Sequence, residues 1–175
     1  KNKIHIIEVE NNETQSVDKI IQKIRENKII YIKNKFHKNE EVLDAIHENG
    51  PAIILNSSGS SGKPRKCFHH LDNLKLSATA SGKWLSEQGF ELQNCLIFNT
   101  LPLNHISGLM PIFRSNSWGC DCINISPNLI KNTKELLLFT IKLKQKKKKF
   151  ITSLVPTQLK RLLAEKDGIN WLKIF

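Results

Sequence analysis

Ser57-Ser58-Gly59-Ser60-Ser61-Gly62-Lys63-Pro64-Arg65 packs four hydroxyls, two glycines and two cations into one short run. Glycines let a backbone approach a polyphosphate closely, serine hydroxyls donate hydrogen bonds to its oxygens, and Lys63 and Arg65 offset its charge. The stretch reads as a phosphate-gripping loop. Just upstream, Pro51-Ala52-Ile53-Ile54-Leu55 has the short apolar character of a buried strand, and Asp72 to Gln88 beyond has helical periodicity. The sequence therefore predicts a loop that joins a strand to a helix. It departs from the usual P-loop, because only two residues separate Gly59 from Gly62 and Lys63 is followed by Pro64 instead of a magnesium-binding serine or threonine. Composition alone would equally describe a flexible polar linker.

Working outward, the chain alternates strand and helix. Towards the N-terminus, Ile4 to Val9 predicts a strand and Ser16 a cap for a helix that buries Val17, Ile20, Ile21 and Ile24. Ile29 to Ile32 predicts a second strand, and Asn39 the cap of a short helix ending at Gly50-Pro51. Downstream, Leu74, Ala78, Ser81 and Leu85 share one face of a helix closed by Gly89. Cys95-Leu96-Ile97-Phe98 is a buried strand that delivers the chain into Leu101-Pro102-Leu103-Asn104-His105-Ile106-Ser107-Gly108, where proline, asparagine and glycine end regular structure. A short helix over 108–118 and a strand over 121–125 follow, and Asn132 with Glu135 resembles a capping box for a helix burying Leu136, Thr140 and Leu143. Phe150 to Leu154 is the next strand, and Pro156 opens a helix with Leu159, Leu162 and Leu163 inside and Gly168 at its end. The expected fold class is α/β, a mostly parallel sheet with helices on both faces and ligands at the carboxyl ends of its strands.

Composition narrows the partners. The chain has 175 residues, 39% of them hydrophobic, and a formal charge of +11. That content is globular, and no window reaches the roughly 18 uncharged apolar residues of a membrane span. Lys1-Asn2-Lys3 is not followed by a secretory apolar core, so a cytoplasmic protein without a membrane span is expected. Cys67, Cys95, Cys120 and Cys122 fit neither a zinc framework nor a small secreted scaffold; reduced structural thiols and no metal site are expected. The positive charge suits nucleic acid, an anionic cofactor or an acidic partner, and Lys146 to Lys149 reads as a solvated helix-to-strand connection.

The order of residues in the loop goes further than its composition. Ser57 to Arg65 resembles the phosphate-binding signature TSGTTGKPK of the adenylate-forming superfamily, the acyl- and aryl-CoA synthetases, luciferases and peptide-synthetase adenylation domains. Pro102-Leu103-Asn104-His105-Ile106-Ser107-Gly108-Leu109 is similar to the superfamily's next motif, with proline, histidine and glycine at the same intervals. Thr152-Ser153-Leu154-Val155-Pro156-Thr157-Gln158-Leu159 with Leu162-Leu163 resembles the segment backing the acyl pocket, most of all in the o-succinylbenzoate–CoA ligases of menaquinone and phylloquinone synthesis. The likeness covers Ile53 to about Phe175. Residues 1–175 then correspond to part of the N-terminal AMP-binding domain, with 1–50 a lead-in and 51–175 the phosphate-loop and acyl-pocket region.

The resemblance implies that Ser57, Ser58, Gly59, Ser60, Ser61, Gly62, Lys63 and Arg65 hold the ATP phosphates. It makes His105 and Lys63 the catalytic candidates, with His105 lining the channel between nucleotide and acyl group. Ser107, Gly108, Ser153, Val155, Pro156 and Thr157, together with His105, would shape the pocket of a small-molecule carboxylate. ATP, Mg2+ and coenzyme A are the implied cofactors and co-substrates, with no nucleic acid; homo-oligomerisation stays open. Three positions depart from the pattern: Arg65 replaces a lysine, Lys66 a glycine, and Leu71 a histidine, so His69 and His70 have no aligned role. The tyrosine-glycine-x-threonine-glutamate motif, the ribose-binding aspartate and the late catalytic lysine are absent. The chain thus looks like the first part of such an enzyme, without the C-terminal domain and without turnover on its own. The alternatives are another acyl- or aryl-CoA synthetase, a basic nucleic-acid-binding module, or a degenerate structural subunit.

Overall fold

A computed structural model describes residues 3–10, 12, 14–36, 50–57, 65–143 and 148–175. Two sheets organise them. The first contains β1 (Ile4–Val9), β2 (Ile29–Asn34), β3 (Ala52–Ser57) and β4 (Arg65–His70) in that spatial order, parallel except for the antiparallel pair β3–β4. The second places β5 (Cys95–Asn99) between β6 (Asp121–Asn124) and β7 (Lys149–Ser153), all parallel. Helix α1 (Thr14–Arg25) crosses from β1 to β2, and α2 (Leu71–Glu87) follows β4 directly. Helix α3 (Ile106–Trp118) crosses from β5 to β6, α4 (Thr133–Leu143) from β6 to β7, and α5 (Pro156–Leu163) and α6 (Lys166–Leu172) complete the order. The α/β class with parallel strands is as the alternation predicted, although the strands form two sheets.

Burial follows position in the sheets. β2, β3 and β5 each have a neighbour on both sides, and their apolar runs are buried without alternation: Ile30, Ile32, Ile53, Ile54 and Phe98 expose no surface. Continuous apolar strands of this kind need cover on both faces. One face of the first sheet (Ile7, Ile30, Ile32, Ile53, Leu55) packs with Val17 and Ile20 of α1, Leu71, Leu74 and Ala78 of α2, and Leu109, Ile112 and Phe113 of α3. Ile29, Tyr31, Ile54 and Phe68 occupy its other face. A second core gathers Phe98, Ile125, Ile130, Leu136, Leu162 and Trp171. Its centre is the Phe98 ring, 6.1–6.3 Å from those of Phe139, Phe150, Trp171 and Phe175.

Helix α3 belongs to the first core while its ends connect strands of the second sheet. It also packs on α2, where Trp118 Nε1 donates to the Ala78 carbonyl at 2.8 Å. A Cβ on Gly82 would stand 2.5 Å from that indole nitrogen, so the helices approach at a glycine.

Several expectations change. The serine-glycine stretch joins two antiparallel strands, not a strand to a helix: Ser57 and Arg65 are register partners, and α2 begins only after β4. The run 65–70 escaped notice because Arg, Lys and two His dilute its apolar pattern. Ser16 lies inside α1, not at its cap, and its hydroxyl donates to the Glu8 carbonyl at 3.4 Å. On α2 the fourth buried position is Gly82, with Ser81 and Leu85 only partly covered. Gly168 does not end a helix; it lies buried in α6, where a Cβ would overlap the Leu162 carbonyl. Leu159 and Leu163 are exposed, and only Leu162 of that trio is buried. The expected Asn132 cap is present: its Oδ1 accepts from Glu135 N at 3.2 Å and its Nδ2 donates to Glu135 Oε2 at 3.0 Å. Gly89 has φ +82 just past α2, as its closing role predicted. The helix expected after Asn39 and the lysine run before Lys148 lie outside the described residues.

Candidate adenylation cleft

Asn99, the last residue of β5, turns the chain towards α3. It is 1% exposed. Its Nδ2 donates to the Gly108 carbonyl and to Asn124 Oδ1, each at 2.7 Å, and its Oδ1 accepts from Leu101 N at 3.1 Å. A second buried asparagine grips the same loop from the other side. Asn12, between β1 and α1, donates to the carbonyls of Leu101 (2.8 Å) and Ile125 (3.1 Å) and accepts from Leu103 N (3.1 Å). An amide alone offers two donors beside an acceptor at such a crossing. Gln158 supplies a third anchor, donating from Nε2 to the Thr100 carbonyl at 3.1 Å and accepting from Val155 N at 3.3 Å.

The loop so held delivers His105 to the N-cap of α3 in extended conformation. The His105 carbonyl accepts from Gly108 N and Leu109 N, both at 3.0 Å. Ile106 and Ser107, in the first turn, have backbone N–H groups without an intrahelical partner, at the positive end of the helix dipole. Pro111 lacks the N–H that the Ser107 carbonyl would otherwise receive. Gly108 is required by packing: a Cβ there would overlap the backbone of Pro102 and Leu101.

Two adjoining cavities share Ile106 and Ser107. One, of about 330 Å3, is lined by Leu55, Asn56, Ser57, Cys67, His69, His105, Ile106 and Ser107. The other, of about 210 Å3, is bounded by Leu101, Met110, Arg114, Ser153, Leu154 and Val155. The first opens where β3 leaves the sheet at Ser57, the second at the carboxyl end of β7. None of these lining side chains is acidic, and Arg114 brings a positive charge to the smaller cavity.

Of the residues singled out from sequence, Ser57, His105, Ser107, Ser153 and Val155 line this cleft, and Gly108 lies buried beneath it. Pro156 and Thr157 are exposed at the start of α5, and Arg65 is exposed at the start of β4. Ser58, Gly59, Ser60, Ser61, Gly62 and Lys63 lie outside the described residues. Among the described residues, no three His, Cys, Asp or Glu side chains are grouped to hold a metal ion, and no helix is long and apolar enough to cross a membrane.

The structure adds Arg114, which no motif marked. It projects from α3 into the smaller cavity, where its Nη1 donates to Ser153 Oγ at 3.3 Å and its buried Nε has no partner among the described residues. Desolvation lowers its pKa from the ordinary arginine value, yet a guanidinium keeps its charge. The half-buried guanidinium thus brings a positive charge, and an Nε–H without a partner among the described residues, to this cavity. The signal was its place one helical turn beyond Met110, on the face of α3 that carries Ser107.

Comparison with known proteins gives the family. Residues 2–173 match the model of the AMP-binding enzyme family. The 2-succinylbenzoate–CoA ligase of Bacillus licheniformis is 34% identical over 125 residues, covering 71% of this chain and 24% of that protein. The o-succinylbenzoate CoA synthetase of Bacillus subtilis, solved with a product analogue, superposes with a TM-score of 0.55 at 18% identity, over 94% of this chain and 41% of that one. The same synthetase solved with ATP and magnesium gives 0.50 at 20% identity, over 91% and 36%. The chain therefore spans about a quarter of the curated relative's length. With the motif order, the parallel strands and the family match over nearly all its residues, this chain belongs to the AMP-binding enzymes.

Proposed function

We propose that the chain is the N-terminal part of an AMP-forming acid–CoA ligase, acting on o-succinylbenzoate in menaquinone or phylloquinone synthesis. In that reaction a substrate carboxylate oxygen attacks the α-phosphorus of ATP, the bond to the bridging oxygen breaks, and pyrophosphate departs. The thiol of coenzyme A then attacks the acyl carbon and AMP leaves. Ser57 to Lys63 and Arg65 would hold the departing phosphates, with Lys63 offsetting their charge. His105 and the first turn of α3 would sit between nucleotide and acyl group, where fixed donors and a helix dipole stabilise developing negative charge. Magnesium would shield the phosphates when bound; the described residues supply no ligand cluster for it, and its ligands are expected elsewhere in the enzyme.

The observation that carries the substrate reading is Arg114. o-Succinylbenzoate has two carboxylates, of which one is activated and the other stays charged throughout. A half-buried guanidinium with an unused donor, held by Ser153 in the acyl-side cavity, suits that second carboxylate. An apolar acyl chain would leave the cation uncompensated. The similarity to a 2-succinylbenzoate–CoA ligase supports the same acid. A basic nucleic-acid-binding module remains the rival, resting on the +11 charge alone.

Thioester formation by an enzyme carrying this chain, measured across a panel of acids with ATP and CoA, tests the proposal. o-Succinylbenzoate should exceed benzoate and fatty acids by at least about a hundredfold in kcat/KM, the discrimination one buried charged contact confers. Equal turnover of acids lacking the second carboxylate would overturn the substrate assignment. The 175-residue chain alone should release no pyrophosphate.

A further inference from the structure

Cys67 and His69 of β4 stand opposite Leu55 and Ile53 of β3 in the antiparallel register. Directly opposed residues share a face, and here it is the face on which Ile53 and Leu55 pack with α3. Both side chains accordingly look into the cavity of about 330 Å3 that also holds Asn56, Ser57, His105 and Ser107. His70, one residue on, is exposed on the other side of the strand.

His69 is half-buried, and burial holds its pKa below the usual histidine value. Its imidazole is therefore neutral near pH 7 and offers one N–H donor and one acceptor. The ring is only partly covered and lines the cavity, so its nitrogens are within reach of a ligand or water there. Asn56, next to Leu55 and Ser57 in β3, turns its side chain to the opposite face, where Nδ2 donates to Tyr31 Oη at 3.0 Å. The cavity thus has a sheet wall bearing Ser57, Cys67 and His69, and a helix wall bearing His105 and Ser107.

We propose that His69 is a second ligand-contacting histidine of this cleft, donating its N–H to a phosphate oxygen of the nucleotide from the sheet wall while His105 approaches from the helix. The proposal rests on reading the cleft as a nucleotide site. Phosphate is favoured over the acyl group because His69 shares a wall with Ser57, at the root of the serine-glycine stretch. The acyl-side cavity with Arg114 and Ser153 does not include His69.

Imidazole 1H–15N NMR of the 175-residue chain, titrated separately with pyrophosphate and with magnesium-ATP, tests it. His69 resonances, identified with His69→Gln, should shift together with those of His105, while those of His5 stay fixed. The dissociation constant should rise about 10- to 100-fold in His69→Phe, the effect of one lost hydrogen bond to a charged group, and recover largely in His69→Gln. Ligand binding that moves the His105 signals but neither those of His69 nor the affinity of His69→Phe would refute the role. If saturating concentrations of both ligands move no histidine at all, the nucleotide reading of the cleft fails and His69's role with it.

Discussion

Arg114 Nη1 and Ser153 Oγ meet at 3.3 Å, joining the middle of α3 to the last residue of β7. The contact sets a cation between the two segments that border the smaller cavity. Replacing Arg114 by leucine should reduce kcat/KM for a dicarboxylate about 10- to 100-fold and leave a monocarboxylate nearly unchanged, because only the former loses a charged hydrogen bond. Stability should hold or rise slightly, since a desolvated cation without an acidic partner among the described residues is removed. Parallel kinetics on the two acids, with a thermal melt, separate this from general damage.

Asn12 is buried and held at φ +59, and all its amide hydrogen-bonding groups are engaged. Asn12→Asp removes both donors and turns a carboxylate towards two carbonyl oxygens. The expected loss is about 2–4 kcal/mol. Asn12→Gly forfeits the same bonds but relieves the left-handed backbone, so it should cost less. Urea midpoints of the two variants give the order.

Gly108→Ala should be among the most damaging single-methyl changes in the chain, at about 2–4 kcal/mol. Its Cβ would overlap the backbone of Pro102 and Leu101, which cannot swing aside as a side chain does. Gly119, at φ +67 with open space around it, tests the contrast: alanine there meets only backbone strain, roughly 1–2 kcal/mol. Chemical denaturation of both variants reads the difference.

Burial pushes the Cys120 thiol up to about 11 and that of Cys122 up to about 12, from an ordinary value of 9.0. The folded chain then keeps protons that the unfolded chain gives up above pH 9. This contribution is intact below pH 9 and is lost as pH rises through 11–12. Urea midpoints should fall more steeply from pH 9 upward in the wild type than in a Cys120→Ala/Cys122→Ala double variant. The same burial should make both thiols slow towards a thiol-exchange reagent at pH 8, with Cys67 reacting first.

Long apolar runs and end signals were legible before any coordinates. Ile53 to Leu55, Leu96 to Phe98, the Asn132 cap and the closing Gly89 fall where periodicity and capping chemistry put them. Strand β4 did not show, because a half-covered edge tolerates Arg65, Lys66, His69 and His70 and so loses the apolar signature. Gly168 misled for a related reason: a glycine can end a helix or let two backbones touch, and only the position of Leu162 decides which. In the cleft, residues fixed by local order, such as His105 and Ser107, could be read from their motif. Asn12 and Arg114 could not, since their roles depend on partners far along the chain.

That distance governs when the cleft can exist. The Asn12 amide closes loops of 89 and 113 residues to Leu101 and Ile125, contacts of the long-range kind that slow folding. On a ribosome Asn12 is synthesised 89 residues ahead of Leu101, so all three of its side-chain hydrogen bonds wait for 101–103, and the last for Ile125. The segment carrying His105 is consequently among the last to settle, and the first sheet takes shape well before the nascent chain has a pocket to fill.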